Sequence, residues 1–283
     1  MKEAKEMNIG VIGTGNMGTI IIESLIEGSV LSPSQLYITN RTLEKAEKIK
    51  QYYPEIKVLN NVKSVAQSTD ILFICVKPLQ IEPLLNTLKT DLTDEQLLVS
   101  ITSPITVSQL ESAVPSKVAR VIPSITNRAL SGATLFTFGD RCDERDKVKL
   151  KGLFENISTP IMIDEPITRI ASDLSSCGPA FMSFLLEKMI NAAVSVTEIS
   201  KEQAIALTTE MMIGFGKLLE KDFYTLETLK QKVHVKGGVT GVGLKVLEDH
   251  TEGIFEKVFA ETQNKFKEDH AVVDVQFSQE VSE

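Results

Sequence analysis

Ile9-Gly10-Val11-Ile12-Gly13-Thr14-Gly15-Asn16-Met17-Gly18 joins a short apolar run to three glycines spaced G-x-G-x-x-G and opens directly into a helical pattern. The run suits a buried parallel strand, and Ile20, Ile21, Ile22, Leu25 and Ile26 suit a helix packed on a sheet. In that setting the spacing predicts a dinucleotide-binding turn. Gly13 allows a tight turn out of the strand, Gly15 lets backbone approach a pyrophosphate, and Gly18 lets the new helix sit close to the sheet. Free N–H groups at the helix N-terminus then serve the anion.

Strand and helix signals alternate outward from this turn. Ser32-Pro33 reads as an N-cap and first helical position ahead of a strand over 35–40. Further strands are expected over 70–76, 97–101, 118–122, 133–138 and 161–163, with a helix through Ile81, Leu84, Leu85 and Leu88 and a capping box at Thr106 and Gln109. This alternation predicts an α/β Rossmann domain over 1–165, doubly wound with a mostly parallel sheet and ligands outside the carboxyl ends of its strands. The second strand ends in Asn40-Arg41-Thr42, where dinucleotide folds usually carry an acid that holds the adenosine ribose. An acid repels a 2′-phosphate and Arg41 attracts one, so NADP(H) is favoured over NAD(H). The bland alternative for Arg41 is the start of an exposed helix.

From Pro166 the texture changes to long helices, predicting an all-α domain over 166–266 for dimerisation and substrate binding. Phe181, Leu185, Met189, Ala192 and Val196 keep helical spacing behind a break at Gly178-Pro179. A capping box at Ser200 and Gln203 opens a helix through Leu207, Met211 and Leu218, and a last helix is expected through Leu247, Ile254, Phe255, Val258 and Phe259. Beyond Phe266 acids predominate, so 267–283 reads as a mobile acidic tail, although Val272, Val273, Val275 and Phe277 allow a short strand or docking on a partner subunit.

Composition limits the function classes. Apolar residues make up 42% and charged residues 24% of the 283, a globular balance with room for two cores. Lys and Arg number 30 against 38 Asp and Glu, a net charge of −8 without a basic block, which argues against nucleic acid. Cys75, Cys142 and Cys177 match no metal or disulfide spacing, so no metal is expected. The charged start Met1 to Met7 is no secretory segment and no run approaches the roughly 20 apolar residues of a membrane helix. A cytoplasmic protein with a small-molecule substrate and copies of itself as partners is expected.

Two glycine-rich places in the helical half complete the motif set: Ser175-Ser176-Cys177-Gly178-Pro179-Ala180-Phe181, and Gly237-Gly238-Val239-Thr240-Gly241-Val242-Gly243-Leu244. With the N-terminal turn, Val76-Lys77-Pro78 and Arg120-Val121-Ile122-Pro123, they resemble the pyrroline-5-carboxylate reductase family over about residues 8 to 262. Within it the chain is most similar to a divergent late-competence branch rather than to the housekeeping enzymes of proline biosynthesis. The resemblance implies a Rossmann domain plus an interlocking helical dimerisation domain, with the active site between the Rossmann domain of one subunit and the helical domain of a neighbour. It implies reduction of pyrroline-5-carboxylate to proline by NAD(P)H.

Carried over residue by residue, the resemblance implies that Gly13, Gly15, Asn16 and Met17 line the pyrophosphate, that Asn40, Arg41 and Thr42 meet the adenosine end, and that Val76, Lys77 and Pro78 border the cofactor. The family's substrate loop, Ser-Pro-Gly-Gly-Thr-Thr, reads here Val235-Lys236-Gly237-Gly238-Val239-Thr240. Gly237, Gly238, Val239 and Thr240 are thereby expected at the substrate, with Thr240 on the ring nitrogen, Lys236 on the carboxylate and Glu187 supporting the loop. Two hydroxyls are replaced, by Val235 and Val239. The family's Met-Pro-Asn-Thr-Pro appears as Ile122-Pro123-Ser124-Ile125-Thr126, its Ala-Ala-Gly as Thr102-Ser103-Pro104, and its Ser-Gly-Ser-Gly-Pro-Ala as Ser175 to Ala180. One alternative is therefore a weak or inactive NADP-binding regulatory paralogue tied to competence or development. A second is a β-hydroxyacid dehydrogenase, faintly echoed by Lys188 and Asn191. Cys177 reads as a small packing residue rather than a nucleophile, and His234 as a packing or surface histidine that stands beside the glycine loop.

Overall fold

The structure, a computed structural model, describes residues 7–279. It divides into two compact units: the chain up to Gly178 together with the part from Thr262, and Pro179–Glu261. The first unit runs past the expected boundary at 165 because Thr168, Ser172 and Asp173 are buried within it.

Among the described residues its sheet has eight strands: β1 (Ile9–Ile12), β2 (Leu36–Thr39), β3 (Lys57–Val58), β4 (Ile71–Ile74), β5 (Leu97–Ser100), β6 (Lys117–Ile122), β7 (Ala133–Phe138) and β8 (Thr159–Met162). Their order is β3-β2-β1-β4-β5-β6-β7-β8, parallel throughout except for the antiparallel pairing of β6 with β7. The register pairs Ile9 with Leu36 on one side and with Ile71 on the other. Six helices pack on this sheet: α1 (Asn16–Glu27), α2 (Leu43–Tyr52), α3 (Val62–Gln67), α4 (Ile81–Leu88), α5 (Val107–Ala113) and α6 (Glu144–Phe154).

The strand period of two sorts the side chains between two cores. From β4, Ile71 and Phe73 join the cluster of α1, α2 and α6, while Leu72 and Ile74 join that of α3, α4 and α5. The expected doubly wound architecture is therefore present. The capping box at Thr106 and Gln109 forms as expected.

After α7 (Thr168–Ser172) the chain passes through one π-helical stretch, Asp173–Cys177, and enters α8 (Gly178–Val196). The expected break at Gly178-Pro179 is thus a π stretch inside a continuous helical run, and the Ser175 carbonyl, four residues before Pro179 and without an N–H from it, accepts from Ser124 Oγ instead. The second unit continues with α9 (Lys201–Glu220), α10 (Leu226–Val233), α11 (Val239–Thr251) and the start of α12 (Ile254–Gln279). The single last helix read from Leu247 to Phe259 is two, divided at Gly253 with φ +73°. Ala204 alone is buried among the described residues of this unit, while Phe184, Leu207, Met211 and Val242 lie exposed.

The expected mobile tail is corrected by the structure over 267–279, which form the last turns of α12. Acids there form i,i+4 pairs, Lys265 with Asp269 at 2.7 Å and His270 with Asp274 at 2.9 Å, which support helix rather than disorder. Val273 and Phe277, also four apart, enter the core with Ile81, Leu85 and Leu110 of the same unit. They form neither a strand nor a free docking edge. The remainder of the tail, 280–283, lies outside the described residues.

Candidate functional site

The sheet order changes direction at β1, which lies between β2 and β4, and this topological switch opens a crevice at the carboxyl ends of the strands. Gly13 leaves β1 with φ +101°, and a Cβ there would stand 2.5 Å from the Cys75 carbonyl oxygen. A Cβ on Gly18 would collide with the Gly13 carbonyl, so the first turn of α1 rests directly on the loop. Gly15 differs from both: it caps α1 at φ −77°, and nothing lies within 4 Å of where its Cβ would be. No side chain caps α1 and its first turn carries no acid, so the helix presents its leading N–H groups and positive dipole end unopposed. Beside them the Thr14 hydroxyl is buried without a hydrogen-bond partner among the described residues. Open space over Gly15, uncapped N–H groups and an orphaned hydroxyl fit a dinucleotide pyrophosphate.

Gly13 N–H donates to the Thr39 carbonyl at 2.9 Å, and Thr14 N–H donates to Asn40 Oδ1 at 3.0 Å. Asn40 Nδ2 in turn donates to the Thr42 carbonyl at 2.9 Å. Asn40 is thus a clip between the glycine turn and the loop after β2, its amide engaged with backbone. Arg41 and Thr42 are exposed next to it. Val76 comes within 3.2 Å of the position of a Gly13 Cβ, and Lys77 and Pro78 follow it into a short 3-10 turn, Pro78–Gln80. The structure thereby brings Gly13, Gly15, Asn16, Met17, Asn40, Arg41, Thr42, Val76, Lys77 and Pro78 to the carboxyl ends of β1, β2 and β4.

The loop after β6 is held by the π stretch: Ser176 Oγ donates to the Pro123 carbonyl and Ser124 Oγ to the Ser175 carbonyl, both at 2.8 Å. Below it lies Arg120, 1% exposed, whose guanidinium pairs with Glu165 at 2.8 Å and donates to Thr168 Oγ1 at 2.6 Å. Asp173 is fully buried between Arg169 at 3.0 Å and the Thr262 hydroxyl at 2.7 Å. Neither buried charge stands out as a support residue in the sequence; the one available signal is an arginine inside the apolar run of β6. Arg169 also donates to Cys177 Sγ at 3.3 Å. Burial raises the Cys177 thiol, and Arg169 offsets this in part, so the group stays protonated and packs rather than attacks. Burial likewise raises Cys75, and pushes Cys142 up to about 11.

In the helical unit, Lys236-Gly237-Gly238 leads into α11. Gly237 has φ +77°, Gly238 is the N-cap with no side-chain capping bond, and Gly238 N–H donates to the Val235 carbonyl at 2.9 Å. Lys236 is exposed and Thr240, in the first turn, is half-buried. Val235 and Val239 are 67% and 89% exposed, so the two replaced hydroxyls would have stood at the open end of the loop. The His234 ring lies against Gly241, where a Cβ would be 2.6 Å from Nε2. Glu187 lines a groove between α8 and α9 with Asn191, Lys201 and Thr208. Lys188 stands over the Phe184 ring at 5.2 Å.

Two family models match the chain. Residues 8–104 fit one described as NADP oxidoreductase coenzyme F420-dependent, and residues 165–269 fit one described as pyrroline-5-carboxylate reductase dimerisation. ComE operon protein 4 of Bacillus subtilis (strain 168) is 52% identical over 96% of this chain and 99% of its own length. Pyrroline-5-carboxylate reductase 3 of the same strain is 28% identical over 92% of this chain and 95% of its own. The chain belongs to the pyrroline-5-carboxylate reductase family. A solved pyrroline carboxylate reductase from Plasmodium falciparum, with NADP bound, has the same fold at a TM-score of 0.81, 22% identical and covering 95% of this chain and 99% of that one. The fold is therefore that of the NAD(P)-binding oxidoreductases of this family, and the apolar faces of α8 to α11 belong to its dimerisation domain. Membership sets aside the β-hydroxyacid dehydrogenase alternative. Among the described residues no helix is long and apolar enough to cross a membrane, and no group of three His, Cys, Asp or Glu could hold a metal.

Proposed function

We propose that this chain is an NADP(H)-dependent reductase that transfers hydride to a cyclic imine acid, pyrroline-5-carboxylate to proline, with a diverged substrate loop. The observation that carries this reading is the start of α11, where Gly238 caps the helix without a side chain and the positive φ of Gly237 turns the chain into it, which leaves the leading N–H groups of α11 without a side-chain cap beside Lys236. Such a cradle suits a carboxylate, the one anionic group of the substrate. The cofactor, when bound, supplies a hydride from nicotinamide C4. Gly13, Gly15, Asn16 and Met17 hold its pyrophosphate, together with the unpartnered Thr14 hydroxyl. Asn40, Arg41 and Thr42 meet its adenosine end, and Val76, Lys77 and Pro78 border it. Lys236, Gly237 and Gly238 orient the carboxylate, while Val239 flanks the ring and Thr240 holds the ring nitrogen. That nitrogen takes its proton from solvent and the imine carbon accepts the hydride, leaving a secondary amine. The protein acts in the cytoplasm as a homodimer or larger homo-oligomer.

A second reading, an NADP-binding regulatory paralogue, is favoured by Val235 and Val239, and by the likeness to a relative named for the ComE operon. One assay decides between them. NADPH absorbance followed with purified protein and pyrroline-5-carboxylate is expected to fall only when the imine is present. Restoring hydroxyls with Val235→Ser and Val239→Thr is expected to raise kcat/KM at least about tenfold, since each charge-assisted bond contributes about 1.5–3 kcal/mol. Binding of NADPH without turnover, in wild type and double variant alike, would establish the regulatory reading.

Coenzyme choice is tested by thermal shift. NADPH is expected to raise the Tm more than NADH at equal concentration, and Arg41→Ala to remove the difference. Equal shifts in the wild type would take Arg41 out of the site.

A further inference from the structure

The last turns of α12 reach the loop that borders the cofactor. Gln276 Nε2 donates to the carbonyl of Leu79 at 3.4 Å, and Leu79 lies in the turn that follows Lys77. Gln80 N–H closes that turn on the Lys77 carbonyl at 2.9 Å. Two residues earlier on α12, Asp274 accepts from Gln109 Nε2 at 2.7 Å, and Gln109 is the residue that completes the capping box of α5. Val273 and Phe277 enter the core cluster against which Val76 packs. Gln276 thus meets 76–80 directly, while Asp274 fixes α12 on α5 and Val273 and Phe277 seat it in the cluster that Val76 also joins. The dimerisation model ends at residue 269, ahead of all four of these α12 residues.

We propose that residues 270–279 are a strap that orders the segment 76–80 and thereby sets affinity for the dinucleotide, with Gln276 as its positioning residue. The effect on affinity rests on the reading of Val76, Lys77 and Pro78 as cofactor-bordering; the ordering itself does not. A loop held by one turn and a few solvent-side bonds opens locally, and each opening withdraws the surface a ligand needs. Gln276 removes part of that freedom from outside the site, touching no position proposed to meet cofactor or substrate.

The test is made on the full chain with Gln276→Ala and Phe277→Ala. Hydrogen exchange in the cofactor-free protein is expected to speed up at 76–80 by about fivefold in Gln276→Ala, the scale of one net hydrogen bond, and by more in Phe277→Ala. Amides of β1 and β4 should keep their protection. NADPH titration is expected to show a Kd raised by a similar factor, with kcat at saturating NADPH unchanged. Unchanged exchange at 76–80 in Gln276→Ala would overturn the strap, as would acceleration spread evenly over the unit with a lower Tm. If the wild type binds neither NADPH nor NADH, the proposed function fails, and the exchange result still decides the strap.

Discussion

Replacing Arg120 by Leu is expected to destabilise the first unit by about 3–5 kcal/mol, the scale of leaving several buried acceptors unpaired at about 1–3 kcal/mol each. The guanidinium is 1% exposed and reaches five acceptors: Glu165 at 2.8 Å, Thr168 Oγ1 at 2.6 Å, Thr137 Oγ1 at 3.3 Å, and the carbonyls of Ser103 at 3.3 Å and Ile105 at 3.2 Å. Leu fills part of the volume and satisfies none of them. Burial itself works against the charge, lowering the Arg120 pKa, and Glu165 offsets this only in part. The stabilisation therefore lies in the fork of bonds tying β6 to the turn before β8's successor α7, rather than in the ion pair. Glu165 is the partner with access to water, so Glu165→Gln should cost far less than Arg120→Leu. Lys at 120 is no substitute, because a single ammonium cannot span donors set by a planar fork. In calorimetry the Leu variant should melt about 6–20 °C lower, at about 2–4 °C per kcal/mol for a unit of this size. A fall of under about 3 °C would show that the five acceptors find other partners.

Gly15→Ala and Gly18→Ala should separate binding from folding within one turn. At Gly15 the backbone already has φ −77°, which Ala adopts freely, and its Cβ meets nothing within 4 Å. The reduced entropy of the unfolded chain and the poorer capping by Ala each amount to about 0.5–1 kcal/mol and oppose one another, so the Tm should scarcely move. The methyl group nevertheless stands where the pyrophosphate must approach. Displacing it from two charge-assisted N–H bonds should weaken NADPH binding at least about thirtyfold, or about 2 kcal/mol. At Gly18 the obstacle is the Gly13 carbonyl, backbone that cannot rotate aside. About 2–3 kcal/mol or more of overpacking cost is expected there, visible as a lower Tm before any ligand is added. Isothermal titration and calorimetry on the pair read both quantities. Loss of stability in Gly15→Ala, or unchanged binding by it, would refute the assignment of the open space to a ligand.

Much of this fold is legible in the sequence itself. The alternation that gives a doubly wound sheet, the glycine roles, and the capping boxes at Thr106 and Ser200 are short-range signals, written within a few residues of where they act. β3 was not legible because two residues, Lys57 and Val58, are too few to show a period. The antiparallel setting of β7 escaped for another reason: alternation records which face a side chain takes, and strand direction leaves no trace in it. Beyond Phe266 the sequence reads as an acidic tail rather than as helix because the solvent face of α12 is acidic there, while the burial signal is carried by Val273 and Phe277. At Glu187 the sequence supplies a position in a motif, while the groove it lines with Asn191 and Lys201 is made by α8 and α9 together, which the local sequence does not record.

The return of α12 to the first unit also has a consequence in time. Gln109 waits for Asp274, 165 positions later in the chain, and the core around Ile81 and Leu85 lacks Val273 and Phe277 until then. On the ribosome the nucleotide-binding half therefore emerges first and matures last. Its helices can form early, but one apolar seam stays open while the whole helical half is synthesised, and closing a loop of that length comes at the end of folding.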